Sequence, residues 1–249
     1  MSRFYAPPDS VCDGKIILRG REAHHARDVM RLSAGDEITV FDGTGKEYSG
    51  VIDKMLKEEI VIKISKTSDR RPGDRRLALV QAIPKLNKMD VIVEKATELG
   101  VERVIPVITE RTIVQADKSR AGLKVERWRK IAVTASKQCG RATVPEINEI
   151  VKFEDSISFV KGYELAVIPC LCDNAERIKT VLKDNAARSA IVFIGPEGDF
   201  TKDEVKAAAA KGVIPVSLGK EVLRSDTAAI SVLSVLNYEL RWGFERIDE

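Results

Sequence analysis

The chain has 249 residues, of which 44% are hydrophobic and 32% are charged, and its formal net charge is +3. This composition excludes a disordered chain, and no apolar run approaches the roughly 18 residues that span a bilayer. The length is sufficient for one large domain or two modest ones. The first ten residues, MSRFYAPPDS, lack a basic segment followed by an apolar stretch, so we expect a cytoplasmic protein without a secretory signal.

Cysteine and histidine are scarce. The four cysteines (Cys12, Cys139, Cys170 and Cys172) are too few and too oddly spaced for a disulfide scaffold. The Cys170-x-Cys172 pair is neither a C-x-x-C redox motif nor a zinc knuckle, and the two histidines are adjacent in the chain. We therefore expect reduced thiols and no metal site. A packing role fits Cys170 and Cys172 best, although redox or metal chemistry stays open in principle.

The first 65 residues are predicted to form a small β-rich module. Its strands are expected over Lys15–Arg19, Glu37–Phe41, Glu47–Met55 and Glu59–Ser65. A short helix over His24–Leu32 is expected to turn Val29 and Leu32 inward. Short strands joined by tight turns, such as the turn at 42–45, are typical of a small barrel. The polar stretch Ser65–Arg76 is predicted to be the interdomain linker.

From Leu77 onward, strand and helix patterns alternate. Short apolar runs predict strands over Leu77–Ala82, Val104–Ile108, Leu165–Ile168, Ala190–Ile194 and Val213–Leu218. Helices are predicted over Lys88–Leu99, Leu123–Gln138, Ala175–Asp184, Lys202–Lys211 and Thr227–Arg241. Asn87 and Thr201 are the expected N-caps, the latter with Glu204 as its capping-box partner. This alternation indicates a mostly parallel sheet between helix layers, in which ligands bind at the carboxyl ends of the strands.

Charge is concentrated in one segment. Residues 111–141 contain nine lysines and arginines but only two acidic residues. Such a block fits a surface that binds phosphates or nucleic acid. A solvated helix face is the commoner explanation of a charge run, so the pattern alone does not establish such a surface.

Three loops follow predicted strands in the C-terminal half, over residues 169–173, 195–200 and 219–227, and the last two carry candidate functional groups. Residues 195–198 (Gly-Pro-Glu-Gly) let a ligand approach the main chain closely, but they also suit an ordinary turn before a helix. In the loop Gly219–Thr227, Arg224 precedes a helix N-terminus, where a fixed positive charge can hold an anion. Ser225 or Asp226 is the expected cap, and an ordinary surface arginine remains the alternative for Arg224. No nucleotide-binding or serine-hydrolase motif is present in the sequence.

A series of motifs, in order from about residue 4 to residue 242, resembles one known family. The matching segments are His24–Leu32, Gly35-Asp36, Phe41–Gly43, Lys88–Asp90, Glu94–Val101, Glu110-Arg111, Arg127-Trp128, Lys130-Ile131, Gln138–Arg141, Pro145, Ile194–Gly198, Leu218-Gly219 and Leu223-Arg224. Together they resemble the RsmE-like methyltransferases of the SPOUT class, which methylate N3 of a uridine in bacterial small-subunit ribosomal RNA. Two positions depart from the family pattern, which usually has Gly at Asp199 and Glu at Asp226.

The resemblance implies a fold, a cofactor and partners. Residues 1–70 are expected to form a PUA-like RNA-binding β-barrel, and residues 71–249 an α/β SPOUT domain with a trefoil knot within about 165–240. The cofactor implied is S-adenosylmethionine, and the substrate is 16S ribosomal RNA in the small ribosomal subunit. The resemblance also implies a homodimer that takes part in ribosome biogenesis and has no membrane or metal partner.

The resemblance also implies roles for individual residues. Expected cofactor contacts, mainly through the backbone, are Leu171, Ile194, Gly195, Pro196, Glu197, Gly198, Leu218, Gly219 and Leu223. In catalysis, Arg224 is expected to stabilise negative charge on the uracil ring, and Asp226 to position Arg224 or accept a proton. RNA contacts are expected from His25, Arg27, Arg31, Arg111, Lys137 and Arg141. Two alternatives stay open: a SPOUT enzyme that modifies another RNA, such as tRNA, and a non-catalytic RNA-binding assembly factor.

Overall fold

The computed structural model describes residues 2–70, 75–112, 118–183 and 187–242. The chain divides into two compact units. One contains Met1–Gly73 and Val133–Val144, and the other contains Asp74–Ala132 and Pro145–Glu249. Among the described residues, no helix is long and apolar enough to cross a membrane.

The first unit contains a six-stranded sheet. Its strands are β1 (Ser2–Tyr5), β2 (Val11–Cys12), β3 (Lys15–Arg19), β4 (Glu37–Phe41), β5 (Lys46–Met55) and β6 (Glu59–Asp69), in the spatial order β1-β4-β5-β6-β3-β2. β1 pairs with β4 in parallel, and the other pairs are antiparallel. The long strand β5 changes register twice against β6, at Ser49/Gly50 and Ile52/Lys54. Such irregularities bend a strand, and here they let one sheet enclose a core.

One apolar cluster fills the first unit. Strands from across the sheet contribute buried side chains to it, including Phe4, Ile16, Ile38, Ile52 and Ile62. The helix α1 (Gly20–His24) continues as one π-helical turn over His25–Val29 and adds Ala23 and Ala26 to the core. A small β-barrel-like module was the sequence prediction for this region, and its four strands are present.

Two local predictions for this unit were wrong. The predicted helix begins earlier and ends at Val29, whose side chain is exposed rather than turned inward. The π-helical turn explains this difference, because its wider spacing moves Val29 off the inner face. Leu32 does pack partly against the core. The predicted linker was placed too early: β6 extends to Asp69, since Tyr48 pairs with Thr67 and extends the ladder.

The second unit is built on an eight-stranded, wholly parallel sheet. Its strands are β7 (Arg76–Ala82), β8 (Arg103–Ile108), β9 (Glu146–Ile147), β10 (Val151–Lys152), β11 (Leu165–Pro169), β12 (Glu176–Arg177), β13 (Ser189–Ile194) and β14 (Ile214–Ser217). The spatial order is β10-β8-β7-β13-β11-β14-β12, and β9 also pairs with β8. The predicted parallel sheet is confirmed, and all five predicted strands are present within one or two residues of their expected limits.

Helices cover both faces of this sheet. They are α2 (Lys88–Glu98), α3 (Lys118–Cys139), α4 (Phe153–Ser156), α5 (Ile178–Lys183), α6 (Lys202–Ala209) and α7 (Ser225–Trp242). α2 and α7 pack against each other, and α7 also packs on β7 and β13. The alternate residues Ala78, Val80 and Ala82 of β7 face the opposite core, which includes Phe153 of α4 and Val205 of α6. Because successive side chains of a strand point to opposite faces of the sheet, both faces are packed against helices.

Helix limits differ from prediction where another interaction intervenes. Thr201 and Glu204 form the predicted capping box of α6. Asn87 stands at the N-cap of α2, but its side chain makes no capping hydrogen bond. The predicted helix from Ala175 begins only at Ile178, because residues 176–177 pair with β14 as a strand. Residues 133–144, which the sequence assigned to the second domain, group instead with the first unit.

The order of the strands requires the chain to cross back near the carboxyl ends of the strands. β14 lies on the far side of β11 from β13, yet Ser225, eight residues after β14 ends, contacts the end of β13. The chain therefore passes the carboxyl end of β11 between these two points. A trefoil knot is compatible with such a crossing and stays a prediction.

A substitution at Gly50 tests how tightly the first unit is packed. A Cβ atom at this position would stand 2.6 Å from both Ile62 Cγ2 and the Lys63 carbonyl oxygen. We predict that Gly50→Ala lowers the free energy of unfolding by about 1–3 kcal/mol, because the neighbouring backbone must move. Denaturant titration measures the change. Gly122→Ala is the control, since its Cβ meets nothing within 4 Å and alanine favours the helix. Equal stability of Gly50→Ala and wild type would contradict the packing described.

Candidate active site

Three turns at the carboxyl ends of parallel strands enclose one cavity of about 240 Å³. They follow β11, β13 and β14, which are neighbours around β11 in the sheet. The cavity is lined by Pro169, Cys170, Leu171, Ile194, Gly195, Pro196, Glu197, Asp199, Val216, Ser217, Leu218, Gly219, Glu221, Val222, Leu223, Arg224, Ser225 and Ala228. The predicted turns thus converge at the edge of the sheet where ligands bind in α/β folds.

The predicted cofactor contacts line this cavity, with Gly198 as the single exception. The carbonyl oxygen of Gly198 accepts a hydrogen bond of 2.7 Å from Arg111 Nη1. Arg111 was predicted to contact RNA. In the structure its guanidinium braces the turn after β13, although the residue remains exposed. Arg111 therefore has a structural contact that sequence reasoning missed.

Asp199 joins two of the turns. Its backbone has a φ of 60°, a conformation that glycine adopts most easily. The carboxylate accepts hydrogen bonds from the Leu171 N–H (2.8 Å, Oδ2) and the Phe200 N–H (2.8 Å, Oδ1). This geometry accounts for the departure from the family's usual glycine. Asp199 keeps the left-handed turn and adds a tether from the turn after β13 to the turn after β11.

Buried polar groups connect the cavity wall to the sheet and the last helix. The Ser225 hydroxyl donates a hydrogen bond of 2.6 Å to the Gly195 carbonyl oxygen and accepts one of 3.0 Å from Gln81 Nε2. Ser225 was predicted as a possible cap of α7, but its hydroxyl bonds Gly195 instead. Sequence reasoning also missed Gln81. The signal was available, because Gln81 is the one polar residue in the run Leu77–Ala82.

Lys88 links two acidic residues near the cavity. Its ammonium nitrogen lies 3.4 Å from Asp226 Oδ1 and 3.6 Å from Glu197 Oε1. Glu197 Oε1 also accepts a hydrogen bond from the Lys85 N–H at 3.1 Å. Asp226 Oδ1 is buried and makes no hydrogen bond with the part of the chain that the structure describes. The ammonium group therefore offsets part of the charge of the two carboxylates and ties the start of α2 to the start of α7.

Arg224 lies at the rim of the cavity, where its side chain is exposed. Within the described part of the chain, no carboxylate lies within ion-pair distance of its guanidinium. Asp226, the other predicted catalytic residue, does not line the cavity. A guanidinium without a carboxylate partner among the described residues can stabilise negative charge on a ligand.

Cys170 and Cys172 form a disulfide in the structure. Both residues also pack against the core of the second unit. The predicted packing role is therefore present, but the expectation of reduced thiols is wrong for this pair. A ring closed over so few residues constrains little of the unfolded chain. The bond is confined to the turn after β11, in which Pro169, Cys170 and Leu171 line the cavity.

The predicted RNA contacts of the first unit are engaged to different degrees. Lys137 Nζ lies 3.0 Å from Glu22 and over the ring of Phe4. His25 packs edge-on against Phe4, and its buried Nδ1 forms no hydrogen bond within the described ranges. Arg141 is held by the Thr143 hydroxyl at 3.0–3.1 Å. All three side chains thus support the unit's own structure.

Arg27 and Arg31 differ in their surroundings. Arg27 pairs with Asp28 and donates to the backbone oxygens of Leu56 and Lys57. The hydrogen bond from Arg27 lowers the pKa of the Asp28 carboxyl below its usual value. Arg31 is exposed and has a φ of 54°, which turns it out at the end of the helical segment. Arg31 is accordingly the most accessible of the predicted RNA contacts in this unit.

The basic block is partly neutralised by acidic residues outside it. Arg127 pairs with Asp90, and Arg129 pairs with Glu149 at 2.9 Å as well as with Glu126 inside the block. A count along the sequence therefore overstates the charge that this segment presents. Over the described ranges, no group of three or more His, Cys, Asp or Glu side chains is placed to hold a metal ion.

Comparison with known families identifies the class of protein. Residues 71–237 match the model of an RNA methyltransferase domain, and residues 18–65 match an RNA methyltransferase PUA domain. Fold and cavity thus belong to an RNA methyltransferase of the SPOUT class with an N-terminal PUA domain.

Individual relatives identify the family. The ribosomal RNA small subunit methyltransferase E of Aquifex aeolicus is 34% identical over 224 residues, which cover 89% of this chain and 93% of that protein. The enzyme of the same name from Synechocystis is 29% identical and covers 94% of this chain and 77% of that protein. The chain belongs to the family of ribosomal RNA small subunit methyltransferase E.

Solved structures agree with this assignment. A methyltransferase of Legionella pneumophila, crystallised with S-adenosylmethionine, superposes with a TM-score of 0.83 at 31% identity, covering 94% of this chain and 96% of that one. The ribosomal RNA small subunit methyltransferase E of Neisseria gonorrhoeae, also bound to S-adenosylmethionine, has a TM-score of 0.82 at 27% identity. The comparison covers 97% of this chain and 98% of the gonococcal one.

The tether formed by Asp199 gives a direct prediction. Asp199→Gly retains the left-handed backbone but removes the acceptor of the Leu171 N–H. We expect amide hydrogen exchange at Leu171 to accelerate about tenfold, as the loss of one hydrogen bond to a charged group implies. Asp203→Ala is the control, because Asp203 is almost fully exposed on α6. Unchanged protection at Leu171 in Asp199→Gly would show that the carboxylate does not hold the turn.

Proposed function

We propose that this protein transfers a methyl group from S-adenosylmethionine to N3 of a specific uridine in the 16S ribosomal RNA of the small ribosomal subunit. The observation that carries the proposal is the cavity itself. Three strand-end turns meet there, with Arg224 at the rim, in a chain that belongs to a ribosomal RNA methyltransferase family. Methyl transfer is then expected to take place in the cytoplasm, where ribosomes are assembled.

The cavity has the chemistry that S-adenosylmethionine requires. Its lining combines two glycines of the turns, Gly195 and Gly219, with the apolar residues Ile194, Leu171 and Leu223. A Cβ on Gly195 would stand 3.1 Å from Asp199 Oδ1 and 3.2 Å from Phe200 Cδ2, so the turn packs closely behind the cavity. A heterocycle can lie against such a wall and form hydrogen bonds with the backbone. When bound, the cofactor supplies a sulfonium methyl group, which is strongly electrophilic.

Eight of the nine residues predicted to hold the cofactor line this cavity. They are Leu171, Ile194, Gly195, Pro196, Glu197, Leu218, Gly219 and Leu223. Gly198 contributes indirectly, through the hydrogen bond that its carbonyl accepts from Arg111. A turn braced from outside keeps its inward-facing backbone groups in place before a ligand arrives, which lowers the cost of binding.

The reaction at uridine requires the loss of the N3 proton, which leaves negative charge on the uracil ring. Arg224 is suited to stabilise that charge, because it stands at the rim of the cavity with no carboxylate to neutralise it. Asp226 points to Lys88 rather than into the cavity. This contact supports a positioning role for Asp226, at the first turn of α7, over a role as proton acceptor.

RNA is proposed to contact the basic side chains of the first unit and the exposed Arg111. The resemblance named His25, Arg27, Arg31, Lys137 and Arg141 in that unit. Arg31 is the strongest candidate, because it is exposed, whereas Lys137 and Arg27 already have acidic partners. Ionic contacts of this kind give an affinity that falls as salt rises.

The proposal also includes a homodimer and a trefoil knot in the second unit. Exposed apolar side chains occur on both α2 (Val91) and α7 (Val235, Tyr238), and these two helices pack together. Apolar groups left exposed on adjacent helices support an interface with a second copy. The crossing of the chain near β11 supports the trefoil knot within about 165–240.

Methyl transfer tests the proposed function. Unmodified small subunits are incubated with the protein and labelled S-adenosylmethionine, and the modified nucleotide is located by mass spectrometry of RNA fragments. The expected product is one N3-methyluridine in 16S RNA. Label only in tRNA would identify a SPOUT enzyme with another target. RNA binding without any transfer would identify a non-catalytic assembly factor.

A substitution at Arg224 distinguishes an effect on cofactor binding from an effect on methyl transfer. We predict that Arg224→Ala retains cofactor affinity within about threefold but lowers the turnover number by at least about 100-fold, as the loss of a group that stabilises developing charge does. Calorimetric titration and single-turnover methyl transfer measure the two effects. Arg103→Ala is the control, because Arg103 begins β8 at the opposite end of the sheet. Near-normal turnover of Arg224→Ala would remove this residue from the mechanism.

Salt dependence tests the RNA surface. For Arg31→Gln, the slope of log affinity against log salt is predicted to fall by about 0.7–0.9, the change for one lost phosphate contact. Filter binding of small-subunit RNA at several salt concentrations measures the slope. Arg19→Gln, an exposed arginine paired with Glu59, is the matched control and should leave the slope unchanged. A wild-type affinity independent of salt would contradict a surface of phosphate contacts.

A further inference from the structure

Gln81, Ser225 and Gly195 form a buried chain of hydrogen bonds with one possible direction. The Gln81 side-chain amide donates to the Ala82 carbonyl oxygen at 2.9 Å and to Ser225 Oγ at 3.0 Å. A carbonyl can only accept, so the amide nitrogen must face Ala82 and Ser225. Ser225 then accepts from Gln81, and its single proton is available for Gly195, whose carbonyl oxygen lies 2.6 Å away.

This chain of hydrogen bonds joins three separate parts of the second unit. Gln81 is next to last in β7 and pairs with Ile194 of the neighbouring strand β13. Gly195 is the first residue of the turn after β13. Ser225 begins α7 and stands between Arg224 and Asp226. The bonds therefore fix the distance between the cavity wall and the segment that carries the proposed catalytic arginine.

Burial of Gln81 is unfavourable for stability alone. Its side chain is fully buried in a strand of leucine, alanine and valine, and its Oε1 has no hydrogen-bond partner among the described residues. An unsatisfied polar atom in the interior destabilises the folded state, and an apolar side chain of similar size would avoid this cost. A residue retained only for packing is not expected to be glutamine here. The placement points to a role in the site.

We propose that Gln81 and Ser225 are positioning residues: they hold the Gly195 carbonyl and the first turn of α7 in the arrangement that binds S-adenosylmethionine. This inference rests on the proposed function of the cavity. Neither residue is required to touch the reacting atoms. Their effect is to order the main-chain groups of the wall before the cofactor enters, so that binding does not have to order them.

Three variants test the proposal. Ser225→Ala leaves the Gly195 carbonyl and one Gln81 N–H without a partner, and we expect cofactor affinity to fall about tenfold or more. Ser225→Thr restores the hydroxyl and should recover affinity to within about threefold of wild type. Gln81→Met keeps the volume but removes the donor to Ser225. It should weaken cofactor binding while the melting temperature stays equal to that of wild type or rises.

Calorimetric titration of S-adenosylmethionine, thermal unfolding and the KM for the cofactor are measured for each variant of the full chain. Ser234→Ala is the matched control, since Ser234 lies in the same helix and its hydroxyl donates to the Ile230 carbonyl at 2.8 Å, away from the cavity. The expected pattern is a raised KM for the cofactor with a smaller change in turnover, seen in Ser225→Ala and Gln81→Met but not in the control.

Two results would overturn the proposal while the proposed function stands. One is wild-type affinity in both Ser225→Ala and Gln81→Met. The other is a loss of affinity in Gln81→Met that is matched by a loss of thermal stability, which would indicate a purely structural role. Should Ser225→Ala not fold, Gln81→Met and Ser225→Thr still decide the question. If wild-type protein itself binds no S-adenosylmethionine, the proposed function fails, and this inference fails with it.

Discussion

A parallel sheet brings the ends of its strands to one edge, but it does not hold the turns that follow them. In this protein, hydrogen bonds between distant segments hold these turns. Ser225 bonds the Gly195 carbonyl, Asp199 bonds the Leu171 N–H, and Arg111 bonds the Gly198 carbonyl. Each side chain acts on a main-chain group of a turn other than its own. A cavity that presents its backbone to a ligand needs such support, because loops without it would have to be ordered on binding.

The charged side chains around the cavity differ in whether they have partners of opposite charge. Lys88 lies between Glu197 and Asp226, so that one ammonium group offsets part of the charge of two carboxylates near the site. Arg224, in contrast, is left at the rim without a carboxylate among the described residues. An arginine already paired with an acid would offer little to an anionic ring. This division of partners explains how acidic and basic groups can stand close together while one positive charge remains available for the substrate.

Much of the architecture could be predicted from the sequence, because apolar runs and turn residues are local signals. All five predicted strands of the second unit are found, and the capping box at Thr201 and Glu204 is as expected. The turns of the site could be located too, since the sheet is parallel. The local predictions that were wrong involved competing interactions. Val29 is moved outward by a π-helical turn, and residues 176–177 join a strand instead of a helix.

The side chains that support the cavity were harder to predict, because their partners are distant in the sequence. Gln81 and Ser225 are 144 residues apart, and no periodicity connects them. The roles of Lys88 and Asp199 likewise depend on contacts that only the folded chain makes. The disulfide between Cys170 and Cys172 was not expected either, since its spacing matches no common redox motif. Local patterns report elements and turns, whereas a site is defined by the contacts between them.

A crystal structure of the protein with bound S-adenosylmethionine examines this account most directly. The account predicts that the cofactor lies between residues 194–198 and 218–223, hydrogen-bonded mainly to backbone atoms, with its methyl group facing Arg224. A cofactor found at another place on the molecule, or one whose methyl group faces away from Arg224, would contradict it.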